Sequence, residues 1–150
     1  MNKKITIISI ITILIDQITK ILAKTYLTRS IVVIPDFFYL TFAKNTGAAW
    51  SIMKNQRLLL VILSIVILYI LFRFSYEFKE NKRNNFAFAL LYGGIIGNLI
   101  NRIIDGSVID FLDFKIFNYD FPIFNVADIA IVIGIILIIG AIIRGEDKCK

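Results

Sequence analysis

"FPIFNVADIAIVIGIILIIGAII", residues 121–143, sets Asn125 and Asp128 at the mouth of an apolar run long enough to cross a bilayer. A carboxylate at such a place is costly, so its presence asks for a partner or a purpose. The rest of the chain has the same character. Of its 150 residues 58% are hydrophobic, more than a soluble domain of this size needs. The length suits a single domain. The net charge of +6 then points to cytoplasmic ends and anionic lipid, not nucleic acid. The chain is predicted to be an integral membrane protein.

There is no histidine, and the one cysteine is Cys149, between Lys148 and Lys150 near the C-terminus. That excludes Ser-His-Asp and Cys-His nucleophilic systems within the chain, and histidine-based zinc sites. A lone cysteine cannot staple the fold, and Cys149 reads as a reduced tail residue. Hydrolytic chemistry would have to come from carboxylates, lysine or serine.

Four apolar segments stand out: Ile5 to Leu22, Leu58 to Phe74, Phe86 to Ile104 and Ile123 to Ile143. Each is near the roughly 20 residues of a spanning helix. Lys3 and Lys4 resemble the start of a signal peptide, but no small-residue cleavage site follows, so an uncleaved first span is predicted. The termini and the short link between spans two and three are densely basic, with Lys3, Lys4, Lys79, Lys82, Arg83 and Arg144. The opposite loops are much longer and their Lys and Arg residues sparser, which predicts cytoplasmic termini. In those outer loops "SIVVIPDFFYLTFA" (30–43) and "SVIDFLDFKIF" (107–117) alternate apolar and polar or aromatic residues, predicting short strands at the membrane surface.

Sorted by depth at about 1.5 Å per residue, the polar residues of the spans fall at one level. Asp16 and Lys20 lie one turn apart in the outer part of span one. Asn98, Asn101 and Arg102 share a face near the outer end of span three, Asn125 and Asp128 open span four, and Asp110 lies in the connection between. Each has a plainer reading. Asn125 can cap span four with Asp128 in its first turn. Asp16 and Lys20 read as a structural ion pair, with Lys20 snorkelling to the interface. Gly93 and Gly97, with Gly94 between them, suit close helix packing. "NTGAAW" (45–50) reads as a turn, Arg102 as an anchor for a helix end, and Asp113 and Asp120 as surface acids.

Asp110 and Asp128 together favour chemistry. Two carboxyls in contact cannot both ionise cheaply, so they share a proton and their apparent pKa values split. The ionised one can activate water while the protonated one polarises a carbonyl and later protonates the leaving amine.

Five motifs, "DQITK" (16–20), "NTGAAW" (45–50), "GGIIGNLINR" (93–102), "VIDF" (108–111) and "FNVAD" (124–128), make the chain resemble the bacterial lipoprotein signal peptidases, signal peptidase II, from end to end. The resemblance implies an all-α membrane protein, an aspartic endopeptidase with four transmembrane helices and a small extracytoplasmic β-rich platform. It implies removal of the signal peptide from diacylglyceryl-modified prolipoproteins, cutting before the lipidated cysteine. By motif, Asp110 and Asp128 become the catalytic pair. Asn45, Gly47, Asn98, Arg102 and Asn125 become residues that line or support the substrate site, and Asp16 and Lys20 structural ones. No metal or organic cofactor is implied. The expected partners are the prolipoprotein and membrane lipid, with no nucleic acid and a monomeric enzyme. The expected location is the bacterial cytoplasmic membrane, with the site near its outer face. The family usually has Asp where this chain has Asn101, which removes a charge beside Arg102. A transporter using Asp16, Arg102 and Asp128 would need polar residues through the full depth, and a non-catalytic scaffold would tolerate Asn at both aspartates.

Overall fold

The structure, a computed structural model, describes residues 3–47, 53–117 and 119–146. Ala48, Ala49 and Trp50 of the second motif and the Lys148–Cys149–Lys150 tail lie outside the described residues. Its helices are α1 (Lys3–Tyr26), α2 (Arg57–Ser75), α3 (Lys82–Ile104) and α4 (Val126–Ile143). All four are long and apolar enough to cross a membrane.

Helix α3 is the hub, packing on α1, α2 and α4. Helix α1 meets it through a stripe at helical spacing, Ile5, Ser9, Thr12, Asp16, Lys20 and Ala23. Ser9 Oγ donates to the Ala89 carbonyl across that interface at 3.0 Å. Helix α4 turns Ala127, Ala130, Gly134, Ile138 and Ala141 inward and leaves Val132, Ile135, Ile136 and Ile139 exposed. That is the arrangement expected in lipid, where small residues let backbones approach and the outer face needs only to be apolar. Helix α2 buries only Leu60 and Ser64, so it sits at the edge of the bundle.

The outer segments form one antiparallel sheet in the order β1-β2-β3-β4. Its strands are β1 (Ile31–Ile34), β2 (Phe38–Asn45), β3 (Val108–Ile116) and β4 (Tyr119–Asp120). The three longer strands fall in the two stretches where alternation predicts them. Pairing of β2 with β3 sets Ala43 opposite Asp110 and Asn45 opposite Val108, with a register shift between Leu40 and Ala43. Phe114 stacks on Phe38 at 4.4 Å and on Phe124 at 5.6 Å. Beneath the sheet, Ile109 and Phe111 pack with Ala23 at the end of α1.

The helix ends differ from the hydropathy limits for physical reasons. Helix α3 starts at Lys82, because Asn81 caps it by accepting from the Asn84 N–H at 2.8 Å. Helix α4 starts at Val126, not Ile123. Before it, Phe124 is drawn into the sheet: its carbonyl accepts from the Phe111 and Leu112 N–H groups at 3.0 and 2.9 Å, and its N–H donates to Leu112 at 3.1 Å. Apolarity marks what faces lipid or core, whereas caps and strand pairing decide where a helix begins.

Two outcomes test this architecture. A Cβ on Gly94 would meet the Ala127 carbonyl oxygen at 2.5 Å, and backbone cannot yield as a side chain can. Gly94→Ala should therefore lose about 1–3 kcal/mol of stability by forcing α4 away from α3; an unchanged melting temperature in detergent would contradict the packing. In a Cys149→Ser background, Lys82→Cys and Lys115→Cys should react with membrane-impermeant reagent from opposite sides, Lys115→Cys from outside. Labelling of both from one side would refute four spans.

Candidate active site

Helix α4 opens with a capping box. Asn125 Oδ1 accepts from the Asp128 N–H at 3.0 Å and Asp128 Oδ2 accepts from the Asn125 N–H at 3.1 Å. The capping reading of this pair is thus correct. The cap leaves Asp128 Oδ1 free to accept from Asn98 Nδ2 at 2.8 Å, and leaves Asn125 Nδ2 to donate to Asp110 Oδ1 at 2.6 Å. Asn125 therefore links the two carboxyls, its backbone N–H on Asp128 and its side-chain NH2 on Asp110.

Asp110 comes from the sheet. Its other oxygen accepts from Asn45 Nδ2 at 3.0 Å, which the register explains: Asn45 is the diagonal neighbour of Asp110 across the β2–β3 pair. The N–H of Gly47 donates to Asn45 Oδ1 at 2.9 Å and turns the amide toward Asp110. Arg102 Nη2 reaches the Gly47 carbonyl at 3.3 Å. Asp110 is 3% exposed. That burial, reinforced by the charge of Asp128 and opposed by the hydrogen bonds from Asn45 and Asn125, pushes its carboxyl up to about 6.

Asp16 and Lys20 pair at 2.8 Å, with side chains 0% and 1% exposed. The snorkelling expected for Lys20 does not occur. Its Nζ turns inward and donates to Asn98 Oδ1 at 2.8 Å, because the bundle supplies two acceptors at that level. Asp16 Oδ1 accepts from the Ala127 N–H at 3.0 Å, one of the free donors of the first turn of α4. Gln17, whose role the sequence reading missed, ties Asp16 Oδ2 (2.9 Å) to the Gly97 carbonyl (3.0 Å). Asp16, Lys20, Asn45, Gly47, Asn98, Arg102, Asp110, Asn125 and Asp128 are thus joined in one cluster, through α1, α3, β2, β3 and α4. Asn101 departs from that: its buried Oδ1 has no donor among the described residues, and neither has Arg102 Nε a partner. Neighbours in sequence on a helix do not face each other.

A cavity of about 660 Å³ opens on the two carboxyls. Asn45, Asn98, Arg102, Asp110 and Asp128 form its polar end, and Phe121, Phe124, Ile129, Val132 and Ile133 its apolar wall. On the other side a groove of about 510 Å³ runs between α2 and α4 past Leu60, Leu63, Ile67 and Ile135, and shares Asn98, Arg102 and Asp128 with the first. The Phe121–Phe124 wall was not foreseen as part of the site; Pro122, which stops the strand and exposes that segment, was the available signal.

Fold and site define a multi-pass membrane protein that holds two carboxyls, linked through Asn125, between two apolar grooves. Residues 8–144 match the family model described as signal peptidase (SPase) II. A lipoprotein signal peptidase of Staphylococcus carnosus is 42% identical over 146 residues, 95% of this chain and 92% of the relative. That of Staphylococcus haemolyticus is 43% identical over 147 residues, 95% of this chain and 92% of the relative. A solved bacterial membrane enzyme superimposes with a TM-score of 0.83 at 39% identity, covering 93% of this chain and 87% of the other. A second gives 0.81 at 40%, covering 92% and 91%. The chain belongs to the signal peptidase II family, which is a family of aspartic peptidases, and it is a bacterial multi-pass membrane peptidase.

The raised Asp110 carboxyl makes stability depend on pH. The folded state holds this proton more tightly than the unfolded chain does, so its contribution is present in full below the unfolded value of 3.8 and is lost as pH rises through about 6. The wild-type melting temperature should carry a component that falls across this window. Asp110→Asn should remove that component, and an identical pH dependence in both proteins would contradict the assignment.

Proposed function

We propose that this protein removes the signal peptide of diacylglyceryl-modified prolipoproteins, cutting the peptide bond before the lipidated cysteine, as a single-domain monomer. Asp110 and Asp128 act together as acid and base. The observation that carries the reading is the pair of carboxyls bridged by Asn125 at the polar end of an apolar cavity.

Charge favours one shared proton. Asp16, Asp110 and Asp128 face Lys20 and Arg102, so the cluster is neutral when the pair keeps a single proton. Asp128, with donors from Asn98 and from the Asn125 N–H, serves as the ionised member, and Asp110, whose carboxyl burial raises to about 6, keeps the proton. It takes a proton from water as the water oxygen bonds to the scissile carbonyl carbon. Asp110 gives its proton to the carbonyl oxygen, making a neutral gem-diol. Asp110 then recovers the hydroxyl proton as the carbonyl re-forms and the C–N bond breaks, while Asp128 passes its proton to the departing amine. The charges begin and end alike.

The two grooves suit a substrate with two apolar parts, the signal helix and the acyl chains, meeting at the scissile bond. Arg102 and Asn45 are placed to hold the backbone at the junction. With cytoplasmic termini, as the distribution of Lys and Arg favours, the carboxyls face the outer side of the membrane, where both parts of the substrate end.

Purified protein given a lipidated prolipoprotein tests this directly. Asp110→Asn and Asp128→Asn should each lose at least about a thousandfold in turnover while still folded, and the double variant should be little worse, since the pair works as a unit. Asp113→Asn is the control. Asp113 accepts from Thr41 on the sheet, outside the cavity lining, and should keep activity. Substrate without diacylglyceryl should be cut far more slowly. Substantial cleavage by folded Asp110→Asn would sink the two-aspartate mechanism, and equal cleavage of both substrates would sink lipid recognition.

A further inference from the structure

The mechanism above gives no step to the buried pair of Asp16 and Lys20. Lys20 is outside the cavity lining, yet its ammonium is sealed in the bundle 2.8 Å from Asp16 and 2.8 Å from Asn98 Oδ1. An ammonium has donors and no acceptor. Facing it, Asn98 must present oxygen, and its NH2 is thereby turned to Asp128 Oδ1 at 2.8 Å. Asn125 Nδ2, also a donor, approaches the same Asn98 oxygen at 3.3 Å and favours the same orientation. The flipped amide would set NH2 against ammonium and oxygen against carboxylate, two repulsive contacts at once. Lys20 is held in turn by Asp16, which is fixed by the Ala127 N–H and by Gln17.

We propose that Lys20 is a positioning residue: it sets the orientation of the Asn98 amide and so keeps a donor on Asp128, leaving the shared proton on Asp110. The inference rests on the two-aspartate reading. The charged groups around this contact are Asp16 on α1, Arg102 on α3, Asp110 on β3 and Asp128 on α4. An ion pair that only held α1 in place could be replaced whole by uncharged groups with little net change in the field on the carboxyls, since its two opposite charges lie 2.8 Å apart and largely cancel. A positioning residue could not.

The test is Asp16→Asn/Lys20→Met, which removes both charges and keeps an acceptor for the Ala127 N–H. Purified in detergent and assayed on lipidated prolipoprotein, it should lose about tenfold or more in kcat, with KM within about twofold. Its pH–rate profile should be displaced to higher pH, since the ionised member of the pair has lost a donor. A pH-independent loss of folded protein lowers the profile without displacing it, and the folded fraction is measured at each pH to separate the two. Should the double variant fail to insert, Lys20→Gln replaces it. That amide gives its N–H to Asp16 and turns its oxygen to Asn98, and the same displacement is expected. Wild-type kcat and pH profile in a folded variant would overturn the proposal. Failure of wild type to cleave, or cleavage by Asp110→Asn, would instead overturn the reading on which it rests.

Discussion

The side-chain amide of Asn125 is shared between two tasks. Its oxygen caps α4 through the Asp128 N–H at 3.0 Å, and its nitrogen holds Asp110 of the sheet at 2.6 Å. A helix that begins at the membrane boundary needs acceptors for its first N–H groups. Here Asn125, Asp128 and Asp16 all serve that need. Stabilising the helix start and bringing the two carboxyls together are consequences of one set of hydrogen bonds. Asp128 can stay at a costly depth because both its oxygens are satisfied.

The remaining architecture keeps that cluster at one place. Glycines of α3 let α1 and α4 approach closely, with Gly97 facing Asp16 and Gly94 facing Ala127. Phe124 stitches the start of α4 to β3, so the sheet cannot shift without moving the helix cap. Apolar residues fill the outward faces of the spans, and polar side chains turn inward to meet one another. The grooves on either side of the carboxyls are therefore apolar almost to their polar junction.

Much of this was legible in the chain. The motifs and shared depth pointed to Asp110 and Asp128 lying together, as lining residues of one cavity do, and alternation in 30–43 and 107–117 pointed to the strands. Packing at Gly93–Gly97 followed from residue size. What could not be read was any property set by a partner distant in sequence. Lys20 looked like a snorkelling residue because its acceptor, Asn98, is brought to it only by helix packing. Ile123 looked like the first residue of a helix because the pairing of Phe124 with Leu112 depends on the sheet. Asn125 proved to be the cap that its place in the sequence suggested, and its nitrogen also reaches Asp110, a contact set by the sheet.

The central claim is that Asp110 and Asp128 hold one proton between them in the state from which the reaction starts, a state filled as pH falls through about 6. Infrared difference spectroscopy of the carboxyl stretch, recorded between about pH 4.5 and 7.5 for wild type and for Asp110→Asn, measures this directly. One carboxyl is expected to take up a proton as pH falls through about 6 in wild type, and that transition to be absent from the variant. Full ionisation of both aspartates down to about pH 4.5, or the same transition in Asp110→Asn, would contradict it.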